Sequence, residues 1–125
     1  MPGAVVHLIA GSAMFFIGWF YYSKYFETDQ RIKELIILAC VCLVFSILPD
    51  IVLVIYYTTY FVSFETSLFY HDLVSIILVP IAIISLFTLK YILKFKRKHM
   101  LILGIWCVLL HIAMDLFIEE SGIWI

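Results

Sequence analysis

The chain has 125 residues, of which 66% are hydrophobic and only 14% are charged, and its mean hydropathy is +1.15. Soluble globular domains are about half apolar and about a quarter charged, so this composition excludes that class and is typical of an integral membrane protein. The formal net charge is −1. This net charge excludes no class of partner. Because the basic residues fall in short runs beside the apolar segments, we interpret them as lying next to anionic lipid and expect no binding to nucleic acid.

Four apolar segments follow one another along the chain. They cover roughly residues 4–22, 35–58, 72–93 and 100–118, and each can cross about 30 Å of hydrocarbon as a helix. Because backbone polar groups must be satisfied internally in a bilayer, the sequence predicts an all-α integral membrane four-helix bundle, one domain over residues 1–125. We expect no cleaved signal peptide, since the first segment lacks basic residues before it and contains His7.

The basic residues are confined to two places, residues 24–33 and residues 90–98. The positive-inside rule puts both stretches in the cytoplasm. It therefore predicts a protein of the cytoplasmic (inner) membrane with both termini outside. We interpret the basic stretches as solvated connections next to anionic lipid.

The first two apolar segments each carry one ionisable residue. His7 shares a helical face with Gly11, Met14 and Gly18, and small residues at this spacing allow close helix packing, so this face is expected to point into the bundle. His7 by itself is equally consistent with an interfacial histidine. In the second segment, Pro49 interrupts the helix and Asp50 follows it, in apolar surroundings that demand a partner across the bundle.

Residues 56–70 are rich in aromatic residues and threonine and contain a single charge, Glu65, so we interpret them as an interfacial belt and outer connection. His71 and Asp72 then open the third predicted helix. Asp72 suits the first turn, where an acidic side chain complements the helix dipole. His71 fits either a ligand or a simple interfacial residue.

The last segment contains His111 and Asp115, four residues apart and therefore about 40° apart on one helix face. Ionisable groups within a membrane helix are costly and usually face the bundle interior with a function. His99 lies in the basic connection, and we exclude it from the site.

Helix direction alternates along the chain, which places five ionisable residues from four helices at a similar depth near the outer leaflet. These candidate metal ligands are His7, Asp50, His71, His111 and Asp115. Histidine together with carboxylate suits zinc, or manganese or iron, and bundle interiors commonly house such sites. The sequence therefore predicts one or two divalent metal ions, with zinc preferred. A network of His–Asp hydrogen bonds without metal and a haem held by two histidines are the alternatives.

The ordered motifs Val5-Val6-His7, Leu48-Pro49-Asp50, His71-Asp72 and His111-Ile-Ala-Met-Asp115 span nearly the whole chain. In this order they resemble the YdjM-like membrane-bound metal-dependent hydrolases, which are distantly similar to zinc-dependent phospholipase C. The chain departs from the family pattern at Val52, where many members have a second Asp, and at Thr66, where many have a His.

The resemblance implies metal-dependent hydrolysis of a phosphoester. The expected substrate is a membrane lipid reached laterally at the outer leaflet, with Asp72 or Glu65 as general base and Asp50 or Asp115 bridging two metals if two bind. The departures from the family pattern favour the alternative of a non-catalytic protein with a structural or transported metal. A thin bundle of four short helices is also compatible with a homo-oligomer.

Overall fold

The computed structural model describes residues 4–59, 63–94 and 97–117, without the side chains of Ala4 and Tyr57. Over these ranges the chain is helical and has no strand, and its α-helices are α1 (Ala4–Tyr22), α2 (Arg31–Ile47), α3 (Ile51–Thr59), α4 (Phe64–Phe87) and α5 (Lys98–Phe117). Four helical spans are long and apolar enough to cross a membrane: Val5–Tyr25, Thr28–Tyr56, Phe64–Ile92 and Lys98–Phe117. The prediction of an all-α, membrane-type four-helix bundle is confirmed.

The second predicted helix is two helices in series. α2 ends at Ile47, a 3-10 turn covers Leu48–Asp50, and α3 continues from Ile51. Pro49 causes the break because it has no backbone N–H to donate to the preceding turn. The break matters for the site, since it leaves the last carbonyl groups of α2 without helical partners.

The third predicted helix corresponds to α4. It begins at Phe64, eight residues before the predicted start at residue 72. Ser63 is its N-cap: the Ser63 Oγ accepts a hydrogen bond from the backbone N–H of Thr66 at 3.3 Å. Placing Asp72 in the first turn was therefore wrong, and the first turn instead contains Glu65. α4 ends in a π-helical segment, Thr88–Ile92.

The interior is built mainly by α1, α2 and α5, which pack against one another. Its central cluster of buried side chains comprises Leu38, Cys42, Met100, Leu103 and Cys107. Gly18 of α1 permits this packing, because a Cβ atom there would collide with the side chain of Leu103. α4 packs along the outside of this group, against α3 and α5.

An ion pair joins α2 to the start of α5 at the basic end of the bundle. Arg97 donates to both carboxylate oxygens of Glu34, from Nε at 3.2 Å and from Nη2 at 2.7 Å, and Glu34 raises the pKa of the guanidinium. His99 lies at the same end, where its ring packs against Tyr22 and Tyr25. His111 follows His99 by twelve positions in α5, about 18 Å along the helix.

Candidate metal centre

The five predicted ligands meet at the other end of the bundle. His7 comes from α1, Asp50 from the 3-10 turn, His71 from α4, and His111 and Asp115 from α5. All three imidazoles and both carboxylates are at least nine-tenths buried. Four helical segments thus bring three histidines and two aspartates into one enclosed cluster.

Four of these residues form the inner part of the cluster. The Nε2 atom of His71 lies 3.2 Å from Asp50 Oδ1 and 3.3 Å from Asp115 Oδ2. The Nε2 atom of His111 lies 3.3 Å from the same Asp50 oxygen and 3.1 Å from the same Asp115 oxygen. One nitrogen or oxygen from each residue therefore borders a common point, and this group can hold a metal ion.

The nitrogen–oxygen separations, four of the six distances among the inner ligand atoms, lie in the range found between ligands around a small cation. A tetrahedral zinc ion with ligand bonds of about 2.0–2.1 Å separates neighbouring ligand atoms by about 3.3 Å. The four nitrogen–oxygen distances run from 3.1 to 3.3 Å, and all four ligand atoms lie within 4.8 Å of one another. Two imidazole nitrogens and two carboxylate oxygens are also a donor set that zinc accepts.

Hydrogen bonding within the cluster does not account for these contacts. The Nε2 atoms of His71 and His111, Asp50 Oδ1 and both carboxylate oxygens of Asp115 are buried and have no hydrogen-bond partner of acceptable geometry. Burying polar atoms without partners is costly, and most buried polar atoms in proteins are satisfied. A metal ion at the common point would satisfy all four inner residues at once, so the residues present fit the metal that the sequence predicts.

The far side of each inner imidazole has a partner that sets its orientation. His111 Nδ1 donates to the backbone carbonyl of Ser46 at 2.5 Å, and His71 Nδ1 lies 3.3 Å from Asp72 Oδ1. A proton on Nδ1 leaves the Nε2 lone pair free for a metal, and such partners typically hold metal-binding histidines in place.

The Ser46 contact was not expected from the sequence. Its carbonyl belongs to the last turn of α2, where backbone oxygens lose their helical partners. Pro49, which ends the helix, was the available signal, but which free carbonyl would meet which histidine depends on how α2 packs against α5.

His7 lies beside the inner four and is not one of them. Its ring stacks on that of His111, with 3.7 Å between ring centroids and 11° between ring planes. Its Nε2 is 3.3 Å from Asp115 Oδ1, whereas the contacts of the other two histidines with Asp115 are to Oδ2. The stack leaves no space for a porphyrin between His7 and His111, so those two residues do not flank a haem.

The two candidate bases occupy different positions on α4. Asp72 is 72% exposed and contacts His71 on the side of the ring away from Nε2. Glu65 is exposed in the first turn of the helix, six residues before His71, about 9 Å along the axis. At the two positions where the chain departs from the family pattern, Val52 is half-buried and Thr66 is exposed.

None of the family models, curated proteins or solved structures compared with this chain matches it. The function is therefore argued from the cluster itself.

Proposed function

We propose that this chain is an integral membrane metalloprotein that binds one divalent metal ion, zinc, through Asp50, His71, His111 and Asp115. The observation that supports it is the set of four nitrogen–oxygen separations of 3.1–3.3 Å among buried atoms that lack hydrogen-bond partners. In zinc proteins, histidine and carboxylate ligands give such spacings.

Charge supports the same proposal. Two aspartates in a largely apolar bundle contribute a formal charge of −2 when ionised, and isolated charges at membrane depth cost several kcal/mol. Metal-binding imidazoles are neutral, so a divalent cation brings the inner group of two aspartates and two histidines to a formal charge of zero.

The reaction that we propose for this centre is hydrolysis of a lipid phosphoester. Its support is the ligand chemistry, the ordered motifs shared with the YdjM-like hydrolases, and the position of the cluster inside apolar helices, where a lipid can arrive laterally. A bound divalent ion would supply Lewis-acid polarisation of the phosphoester and activation of a water. His7 lies next to the four ligands, and both of its ring nitrogens lack hydrogen bonds. It is therefore the residue that we propose to accept or donate a proton in the reaction. The positive-inside rule would put the site on the outer side of the inner membrane.

One observation favours a second candidate, a closed metal site without catalysis. Four protein ligands fill the coordination of a tetrahedral zinc, and structural zinc sites are closed whereas catalytic ones keep a position for water. In this case the metal would join the 3-10 turn, α4 and α5, or would be cargo.

Metal content per chain tests the proposal. The parent protein, purified and loaded with zinc, should contain one zinc per chain by elemental analysis. The variant His111→Ala/Asp115→Ala should contain none while it keeps its helical circular dichroism. The control variant His99→Ala/Glu65→Ala removes the same residue type and one carboxylate outside the inner cluster, and it should retain the metal. A parent protein that binds no metal after loading would refute the metal centre.

Two measurements on the zinc-loaded parent protein distinguish the hydrolase from the closed metal site. Cleavage of a lipid phosphoester that disappears in the His111→Ala/Asp115→Ala variant would support the hydrolase. X-ray absorption that finds four protein ligands and no water, together with no cleavage across phospholipid classes, would support the closed site and refute the hydrolase.

A further inference from the structure

A groove between α4 and α5 opens at the basic end of the bundle, far from the histidine–aspartate cluster. It has a volume of about 370 Å³ and is lined by Leu86, Lys90, Lys98, His99, Ile102 and Trp106. We name it the lysine groove. Its position at the opposite end of α5 makes it independent of the proposed metal centre.

The lysine groove is cationic at one end and apolar along its length. On α4, Leu86 lies one turn deeper than Lys90; on α5, Ile102 and Trp106 lie one and two turns deeper than Lys98. The eight helical steps from Lys98 to Trp106 span about 12 Å, most of the roughly 15 Å of hydrocarbon in one leaflet. Trp106 is 51% exposed, so the apolar wall faces outward where lipid chains lie.

No ion pair among the described residues neutralises Lys90 or Lys98 at the mouth of the groove. Residues 73–114 contain five lysines and arginines and no aspartate or glutamate. Glu34 forms its ion pair with Arg97. The ion pairs among the described residues include neither Lys90 nor Lys98. The Lys90 ammonium instead lies 5.1 Å from the ring centroid of Tyr91, a contact that adds no negative charge.

The backbone is also irregular at this point. Lys90 is the central residue of the π-helical segment Thr88–Ile92 that ends α4. Such segments are rare and are frequent at functional sites. One of the two lysines that line the groove therefore lies within an irregular segment of backbone.

We propose that the lysine groove binds an anionic phospholipid of the surrounding leaflet, with the phosphate at Lys90 and Lys98 and an acyl chain along Leu86, Ile102 and Trp106. Charge complementarity selects this occupant: basic pockets between membrane helices attract anionic headgroups, at about 1 kcal/mol for each basic residue near the surface. A zwitterionic lipid gains less, because its own cation faces the lysines.

The test is a titration of the delipidated full-length protein with phosphatidylglycerol or phosphatidylcholine, followed by native mass spectrometry. One phosphatidylglycerol should bind in preference to phosphatidylcholine. Lys90→Gln/Lys98→Gln should weaken phosphatidylglycerol binding about 30-fold, the loss expected from two basic residues at about 1 kcal/mol each.

Two further variants distinguish a groove from diffuse surface charge. The control variant Lys24→Gln/Lys33→Gln removes the same number of charges from exposed positions outside the groove. Lys24 is matched to Lys90 because its ammonium also lies over the ring of the following tyrosine, 5.2 Å from the ring centroid. This variant should bind phosphatidylglycerol as the parent does, whereas Ile102→Trp, which fills the groove and keeps every charge, should weaken binding. An equal loss in the Lys24→Gln/Lys33→Gln variant, unaltered binding in Ile102→Trp, or equal binding of the two lipids would overturn the proposal.

Discussion

Asp72 offers the sharpest test of how the cluster holds a metal, because its carboxylate touches the cluster only through His71. Its Oδ1 lies 3.3 Å from His71 Nδ1, on the opposite side of the ring from the proposed ligand atom Nε2. Partners of this kind typically contribute a factor of 10–100 to metal affinity. Asp72 is 72% exposed and the contact is long for a hydrogen bond, so the low end of that range applies. We therefore expect Asp72→Ala to weaken zinc binding about tenfold, or about 1.4 kcal/mol.

The assay is a zinc titration of purified protein against a chelator of known affinity. Asp72→Asn should fall between Asp72→Ala and the parent, because a neutral amide oxygen can still accept the Nδ1 proton but forms a weaker bond than a carboxylate. Glu65→Ala, which removes an exposed carboxylate from the first turn of the same helix, should leave zinc affinity unchanged. If Asp72→Ala binds zinc as tightly as the parent and yet loses phosphoester cleavage, Asp72 acts as a base and the positioning role is refuted.

Three other expectations concern the bundle. Gly104→Ala should lower the free energy of unfolding by about 1–3 kcal/mol, since its new Cβ would lie 2.9 Å from a side-chain atom of α2. The measurement is a thermal melt followed by circular dichroism, with Ser12→Ala, on the exposed face of α1, as the control. Equal melting temperatures of the two variants would contradict the packing argument. Arg97→Gln should lower the melting temperature of the parent more than that of a Glu34→Gln variant, because the Arg97 guanidinium contacts an ionised carboxylate only where Glu34 is present. Equal effects in the two backgrounds would show that the pair is uncoupled. In a protein without its native cysteines, Ser63→Cys should react with an impermeant maleimide from outside the cell, and labelling only after permeabilisation would reverse the predicted orientation.

Much of the architecture was readable from local sequence. Hydropathy and segment length identify the helices, because a bilayer accepts few other structures. The i, i+4 spacing of His111 and Asp115 places both on one face, and Pro49 marks the break in the second span. Because successive helices alternate in direction, chain order alone brings ionisable residues near the ends of four segments to one end of the bundle.

The start of α4 was harder to predict from the sequence. The aromatic and threonine-rich stretch before His71 resembles an interfacial connection by composition, but Ser63 caps a helix that already includes much of it. A serine followed by an acidic residue two positions later was the available signal. This two-residue signal was weak evidence compared with the composition of the whole stretch. The predicted helix therefore began about two turns too late, which misplaced His71 within it.

Composition, hydropathy and residue spacing thus determined the membrane class, the helical fold and the candidate ligands. The tertiary structure decided which atoms meet: the two histidine nitrogens that each lie between Asp50 and Asp115, the His7 ring stacked on His111, and the Ser46 carbonyl that orients His111. Periodicity indicates which face of a helix a residue occupies, but it contains no information on the rotation and depth of one helix against another. Those depend on close contacts such as that of Gly18 with Leu103, where the small residue allows two helices to approach.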